Sequence, residues 1–322
     1  MTLGTKVQKL IVSPSPHIHC GSSITKTMYT FIVALIPAVI FAINSYGLHA
    51  ARVISLAIAG AMIAEFVIQK IMKRDSSFYD GSALLTGLLL ALIIPPSVPW
   101  WFVLMGSFIS IIIGKQIFGG IGYAPLNPVL VGWAILRISW GDYLNFDIAI
   151  INYDLAFSYE YPLSILKKVG ASGISGLDIM DLIFGKQSGG LGASAIIWIF
   201  LGGVFLLLRG VISSMIPVAF ILGVAITSAL FWGADSVKYA SPLFHIVTGN
   251  VMIGAFFLAT HYSSSPVNKI PQLLFGFGAG ALTIIFRVWG VYPDGVVFAL
   301  MIMSLLNPIL DKITPKIPGL AK

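Results

Sequence analysis

The sequence is short of charge, and shortest of acid. Only 10% of its 322 residues are charged, with 12 Asp and Glu against 19 Lys and Arg. Soluble domains carry roughly 25% charged residues. With 57% hydrophobic residues, the chain reads instead as an all-α, polytopic membrane protein. Its single cysteine, Cys20, excludes an intrachain disulfide and an iron–sulfur cluster held by this chain's cysteines alone. The net charge of +7 does not point to nucleic acid. No basic helix or basic-aromatic platform accompanies it, and basic residues gather at the cytoplasmic ends of spans. Walker, GxGxxG, HExxH and GxSxG patterns are all missing. The histidines (His17, His19, His49, His245 and His261) form no facing mid-span pairs, which argues against a bis-His haem. The first twenty residues have no apolar h-region, so the first span is expected to act as its own insertion signal.

What the chain has in abundance is apolar segments. Ten are read, at 28–46, 50–72, 81–95, 98–117, 125–140, 192–208, 213–232, 243–260, 271–288 and 293–311. A full span needs roughly 20 apolar residues, so the third, fifth and sixth are short. The third, DGSALLTGLLLALIIPP, ends on Pro95-Pro96, which cannot extend a helix. The division expected is a cytoplasmic segment 1–27, a first five-helix unit 28–140, an extracytoplasmic loop 141–191, a second five-helix unit 192–311 and a tail 312–322. With both termini cytoplasmic, twelve basic residues fall inside and four outside the long loop, which holds three more. That is a positive-inside bias.

The halves resemble each other. Gly87 in the third segment matches Gly254 in the eighth, and GYAPLNPVLVGW at 122–133 matches GVYPDGVVFALM at 290–301. A repeat of five spans must be inverted, and inverted repeats with interrupted helices place a pathway or site at their interface. The third and eighth segments are therefore expected to meet there, with Gly87 and Gly254 permitting close approach.

Several polar residues stand out against this background. Asp80 can cap the third segment, and Ser82 and Thr86 can bond between helices or line a pathway. Asn127-Pro128 and Pro293-Asp294-Gly295 each open a short helix, and Pro suits the first helical turn. Two such N-termini favour an anion or an electron-rich ring edge. Glu65 can pair with Lys115 or hold a proton or cation, and Lys115 otherwise reads as an interfacial anchor. Glu65, Asp80 and Lys115 are the candidates for an ion pathway. No metal cluster is expected.

Certain stretches are more specific. SPSPHIHCGSSITKTM (13–28), GSALLTGLLLALIIPPSVPWW (81–101), GKQIFGGIGYAPLNPVLVGW (114–133), IPVAFILGV (216–224), MIGAFFLAT (252–260) and GVYPDGVVFAL (290–300) together resemble the RnfD/NqrB family, and RnfD more closely. The resemblance implies about ten transmembrane helices in two inverted five-helix repeats. It also implies a membrane subunit of a redox-driven, Na⁺- or H⁺-translocating ferredoxin oxidoreductase complex, working beside flavin and iron–sulfur subunits. The alternative is a passive channel or carrier for a small solute on a similar fold.

Members of the family carry FMN on a loop Thr in an S-x-A-T-P-L motif, and the resemblance allows a second flavin, riboflavin, in the membrane part. Here the matching stretch is Ser158-Tyr159-Glu160-Tyr161-Pro162-Leu163. Tyr161 replaces the acceptor Thr, and the Glu160 carboxylate would repel a phosphate. Non-covalent riboflavin or FMN is therefore expected rather than covalent FMN. The candidate flavin-binding residues are Ser82, Thr86, Gly87, Asn127, Pro128, Gly254, Thr260, Asp294 and Gly295, with Ser158 and Tyr161. A second departure is Thr260-His261, where the family has Thr-Asp-Pro, and a solvated loop histidine is expected there.

Overall fold

The computed structural model describes residues 23–74, 77–144 and 161–313. Ser158 and Glu160 lie outside them. Among the described residues every regular element is helical. In chain order the first half has α1 (Ile24–Tyr46), α2 (Leu48–Ile71), α3 (Ser82–Ile93), α4 (Trp100–Ile111, run on by a π turn at Ile112–Gln116) and α5 (Pro128–Ser139). Two short loop helices follow, α6 (Pro162–Val169) and α7 (Ile179–Ile183). The second half has α8 (Ile196–Leu208), α9 (Met215–Ala234), α10 (Pro242–Ile246), α11 (Val251–Ile253, run on by a π turn at Gly254–Leu258), α12 (Lys269–Trp289) and α13 (Val296–Leu310).

Four of these helices (α1, α2, α9 and α12) are long and apolar enough to cross a membrane. The rest of the ten segments are shorter. The chain is thus a multi-helix membrane protein, as expected. The eighth segment is a broken helix: α10 and α11 are separated by a turn at 247–250, where Gly249 has φ +68°.

The packing pattern repeats. In the first half α2 packs on α3 and α4, and α4 on α5; in the second, α9 packs on α10 and α12, and α12 on α13. The halves join through equivalent pairs, α1 with α8 and α5 with α13. Two five-segment units therefore share one pattern of helix contacts.

Helix α3 explains itself by position. All its residues but Leu84 are buried, so this helix, apolar all round, is enclosed by protein rather than lipid. A core helix need not match the bilayer's thickness, so twelve residues are enough. Its frayed end is satisfied by the loop before α8: the Gly192 amide donates to the Leu92 carbonyl at 2.6 Å and the Leu191 amide to the Ile94 carbonyl at 3.2 Å. Beyond it, Arg52 on α2 donates to the Val98 carbonyl at 2.9 Å and holds the Pro-Pro turn.

Glycine sets the helix spacing. A Cβ at Gly87 would lie 2.5 Å from the Ala57 carbonyl oxygen of α2, and one at Gly254 would lie 2.6 Å from Val296 Cγ1 of α13. Both glycines thus permit the close approach of a helix, and in each case that helix belongs to the same half. On α12, Gly276 and Gly280 lie against backbone carbonyls of Ile216 and Phe220 on α9. Small residues four apart let membrane helices gain van der Waals contact, which is the main source of their association in lipid.

Candidate functional site: two buried ion pairs and a cationic cavity

Helix α5 runs from Asn127 to Arg137 between two polar centres, one at each end. At its N-terminal end Asn127 Oδ1 caps the helix by accepting from the Val129 amide at 3.0 Å, and Pro128 takes the first helical position. The Asn127 amide donates to the Leu258 carbonyl at 3.1 Å, tying the two halves together.

Beside it lies a buried ion pair. Lys115 Nζ is 2.5 Å from Glu65 Oε1, and both side chains are almost wholly enclosed. The same Glu65 oxygen accepts from Gln116 Nε2 at 2.9 Å, Ser77 Oγ at 3.1 Å and Gln69 Nε2 at 3.1 Å. Lys115 also reaches Ser82 Oγ at 2.5 Å. Ser82 in turn donates its amide (2.8 Å) and hydroxyl (2.6 Å) to Asp80 Oδ1, the capping role expected of Asp80. Glu65, Asp80 and Lys115 are therefore brought together. Lys115 is not an interfacial anchor: the π turn at the end of α4 directs it inward, toward α2 and α3. His261, half-buried rather than solvated, approaches from the second half. Its Nδ1 lies 3.2 Å from Ser263 Oγ. Burial and the neighbouring Lys115 ammonium hold its imidazole well below the usual range, at about 3.

The other end of α5 holds the second centre. Arg287, in the last turn of α12, donates through Nη2 (3.1 Å) and Nε (3.3 Å) to Asp294 Oδ1. It also donates to the His245 and Thr248 carbonyls at 2.8 and 2.9 Å, which α10 leaves unpaired where the eighth segment breaks. Asp294 Oδ2 accepts the Asn250 amide at 2.9 Å. Each half thus ends its fourth segment with a buried cation that holds the broken or truncated segment beside it. Lys115 stands among the sequence candidates; Arg287 does not. Its signal is an Arg in the last turn of an apolar run, seven residues before Asp294.

Next to this centre opens a cavity of about 390 Å³ beneath the loop helix α6. Its lining includes Trp133, Arg137, Tyr161, Lys167, Lys168 and Tyr292. The Arg137 guanidinium lies 4.5 Å from the centre of the Tyr292 ring, whose other neighbour is the stacked Phe298 at 5.5 Å. Two buried donors here, Trp133 Nε1 and Arg137 Nε, have no partner among the described residues. An unmet buried donor is costly, and both residues belong to the lining of this cavity. Burial lowers the Lys167 ammonium below its usual value.

The remaining candidates are dispersed. Tyr161 and Asp294 line this cavity, with Gly295 next in sequence. The Thr86 hydroxyl bonds its own helix at the Ser82 carbonyl (2.9 Å), not another helix, and Thr260 does the same at the Phe256 carbonyl (2.6 Å). Gly87 and Gly254 are filled by neighbouring helices. Ser82, Asn127 and Pro128 belong to the opposite end. At the α6 end the cavity combines the aromatic walls of Trp133 and Tyr292 with the cationic side chains of Arg137, Lys167 and Lys168.

Known proteins share this sequence over nearly its whole length. The model of the NQR2, RnfD, RnfE family matches residues 11–319. In Clostridium ljungdahlii, the D-type subunit of a proton-translocating ferredoxin:NAD(+) oxidoreductase complex is 36% identical over 311 residues, 94% of each chain. In Acetobacterium woodii, the D-type subunit of a Na(+)-translocating ferredoxin:NAD(+) oxidoreductase complex is 36% identical over 97% of this chain and 96% of its own. In Salmonella enteritidis PT4, the D-type subunit of an ion-translocating oxidoreductase complex is 32% identical, covering 96% and 98%.

Proposed function

Since the chain belongs to the NQR2, RnfD, RnfE family, we propose that it is the D-type membrane subunit of a ferredoxin oxidoreductase complex that moves Na⁺ or H⁺. The observation that carries this reading is similarity along almost the whole chain to subunits so named. Those names make other subunits of such a complex its partners, and flavin and iron–sulfur subunits are the ones this reading assigns. The chain alone is not the catalyst; it is one station on an electron path.

The flavin of this station is held without a covalent bond, in the cavity of Trp133, Arg137, Lys168 and Tyr292. Arg137 and Lys168 would offset the charge of a phosphate. Trp133 Nε1 and Arg137 Nε would donate to acceptors on the ring, and Tyr292 would supply an aromatic face. When bound, a flavin supplies one- and two-electron transfer. Tyr161, fully buried among Leu163, Leu182 and Phe244, packs as a core residue where the family has its phosphate acceptor.

Flavin extraction tests the reading. The complex should release FMN or riboflavin on acid precipitation, and this subunit should show neither in-gel flavin fluorescence nor added FMN mass. A covalent FMN adduct on this chain would overturn the non-covalent assignment. Absence of any flavin from the intact complex, together with solute flux in liposomes holding this chain alone, would favour a carrier. Uptake by vesicles supplied with Na⁺ or depleted of it assigns the ion.

A further inference from the structure

A second, apolar groove of about 400 Å³ runs along the exposed side of α13. Its lining includes Val291, Tyr292, Phe298, Met301, Ile302 and Leu305. Leu305 is 61% and Val291 86% exposed, so the groove opens away from the protein's interior. From Phe298 to Leu305 it follows the helix for about 10 Å at 1.5 Å per residue.

One end of this groove is not apolar. Lys167 Nζ rests on the carbonyls of Gly290 and Tyr292, at the rim where the groove meets the loop helix α6. Lys168 follows it, and Arg137 lies on the inner face of the same Tyr292 ring. Asp294, which lines the neighbouring cavity, is taken up by Arg287. The rim is therefore cationic and the trough beyond it apolar, and this is the charge pattern of an acidic amphiphile.

We propose that this groove binds one acidic glycerophospholipid, its phosphate at Lys167 and one acyl chain along Phe298, Met301 and Leu305. Neutral lipid would fill the trough by van der Waals contact alone, since lipid gains no hydrophobic energy from leaving lipid. The cation at the rim makes the site selective for a phosphate without a compensating positive headgroup. The bound chain would seal Tyr292, which separates groove from cavity, against the bilayer.

The test uses the intact complex, delipidated in mild detergent and offered phosphatidylglycerol, phosphatidylcholine or inorganic phosphate, with retained lipid read by native mass spectrometry. Wild type should keep phosphatidylglycerol in preference to phosphatidylcholine, and Lys167→Gln should cut that preference about fivefold, the weight of one surface cation of about 1 kcal/mol. Met301→Trp fills the groove without touching the cavity. It should lose the lipid while the flavin content stays unchanged, which keeps this test apart from the flavin reading. Equal retention of both lipids, undiminished retention in Met301→Trp, or protection of the groove by a neighbouring subunit's helix would overturn the proposal. So would stabilisation by inorganic phosphate that matches the lipid's.

Discussion

Replacing Lys115 by Met removes the cation from a site that water does not reach. Glu65 and Lys115 are each about 1% exposed. Breaking a buried pair by deleting one partner costs about 3–5 kcal/mol, because the other charge stays buried. Three neutral donors, Gln116, Ser77 and Gln69, still reach Glu65 Oε1, and each contributes about 1 kcal/mol. The loss expected for Lys115→Met is therefore at the low end, about 3 kcal/mol. Glu65→Gln should cost a similar amount, since it leaves the ammonium facing chiefly the Ser82 hydroxyl. The double variant removes both charges and keeps an acceptor for the glutamines, so it should be more stable than the sum of the singles by about 2 kcal/mol. Chemical unfolding in mixed micelles, followed by tryptophan fluorescence, measures all four corners of the cycle. A single variant within about 1 kcal/mol of wild type, or additivity in the double, would refute a desolvated pair.

Other outcomes follow from the same geometry. Arg287→Met should destabilise by about 3–5 kcal/mol and speed amide exchange at Thr248–Asn250, whose backbone it holds; unchanged exchange there would count against that role. Gly87→Ala should cost about 1–3 kcal/mol by overpacking against the Ala57 carbonyl. The control Gly141→Ala, with open space around it, should leave the unfolding midpoint unmoved. His261 titrates near 6.5 when unfolded and at about 3 when folded, so the unfolded state takes its proton first. Stability should fall as pH descends from about 6.5 toward 3, and His261→Asn should flatten that part of the profile. A variant as pH-sensitive as wild type would refute it.

The long helices were legible because their signal is local. Segments such as 50–72 and 213–232 are apolar runs of span length, and α2 and α9 fall within a few residues of them. Caps were legible for the same reason: Asp80 and Asn127 each accept from an amide two positions on, and Pro128 takes the first helical position. The short third segment was legible as an anomaly, and its enclosure by protein supplies the explanation. Partner choice was partly legible. The Glu65–Lys115 pair stood among the sequence readings and forms, but the competing reading of Lys115 as an anchor fails because the π turn at Ile112–Gln116 carries it into the core.

By itself, the sequence determined that the chain is a helical membrane protein of two related halves, because hydropathy, helix caps and motif order depend on neighbours in the chain. The tertiary structure alone decided which glycines pack against which helices, where the eighth segment breaks, and that Arg287 closes that break. It also decided that Trp133, Arg137, Lys167 and Tyr292, drawn from three separate parts of the chain, enclose one cavity. Such juxtapositions depend on which faces of distant helices meet, and no local pattern encodes that.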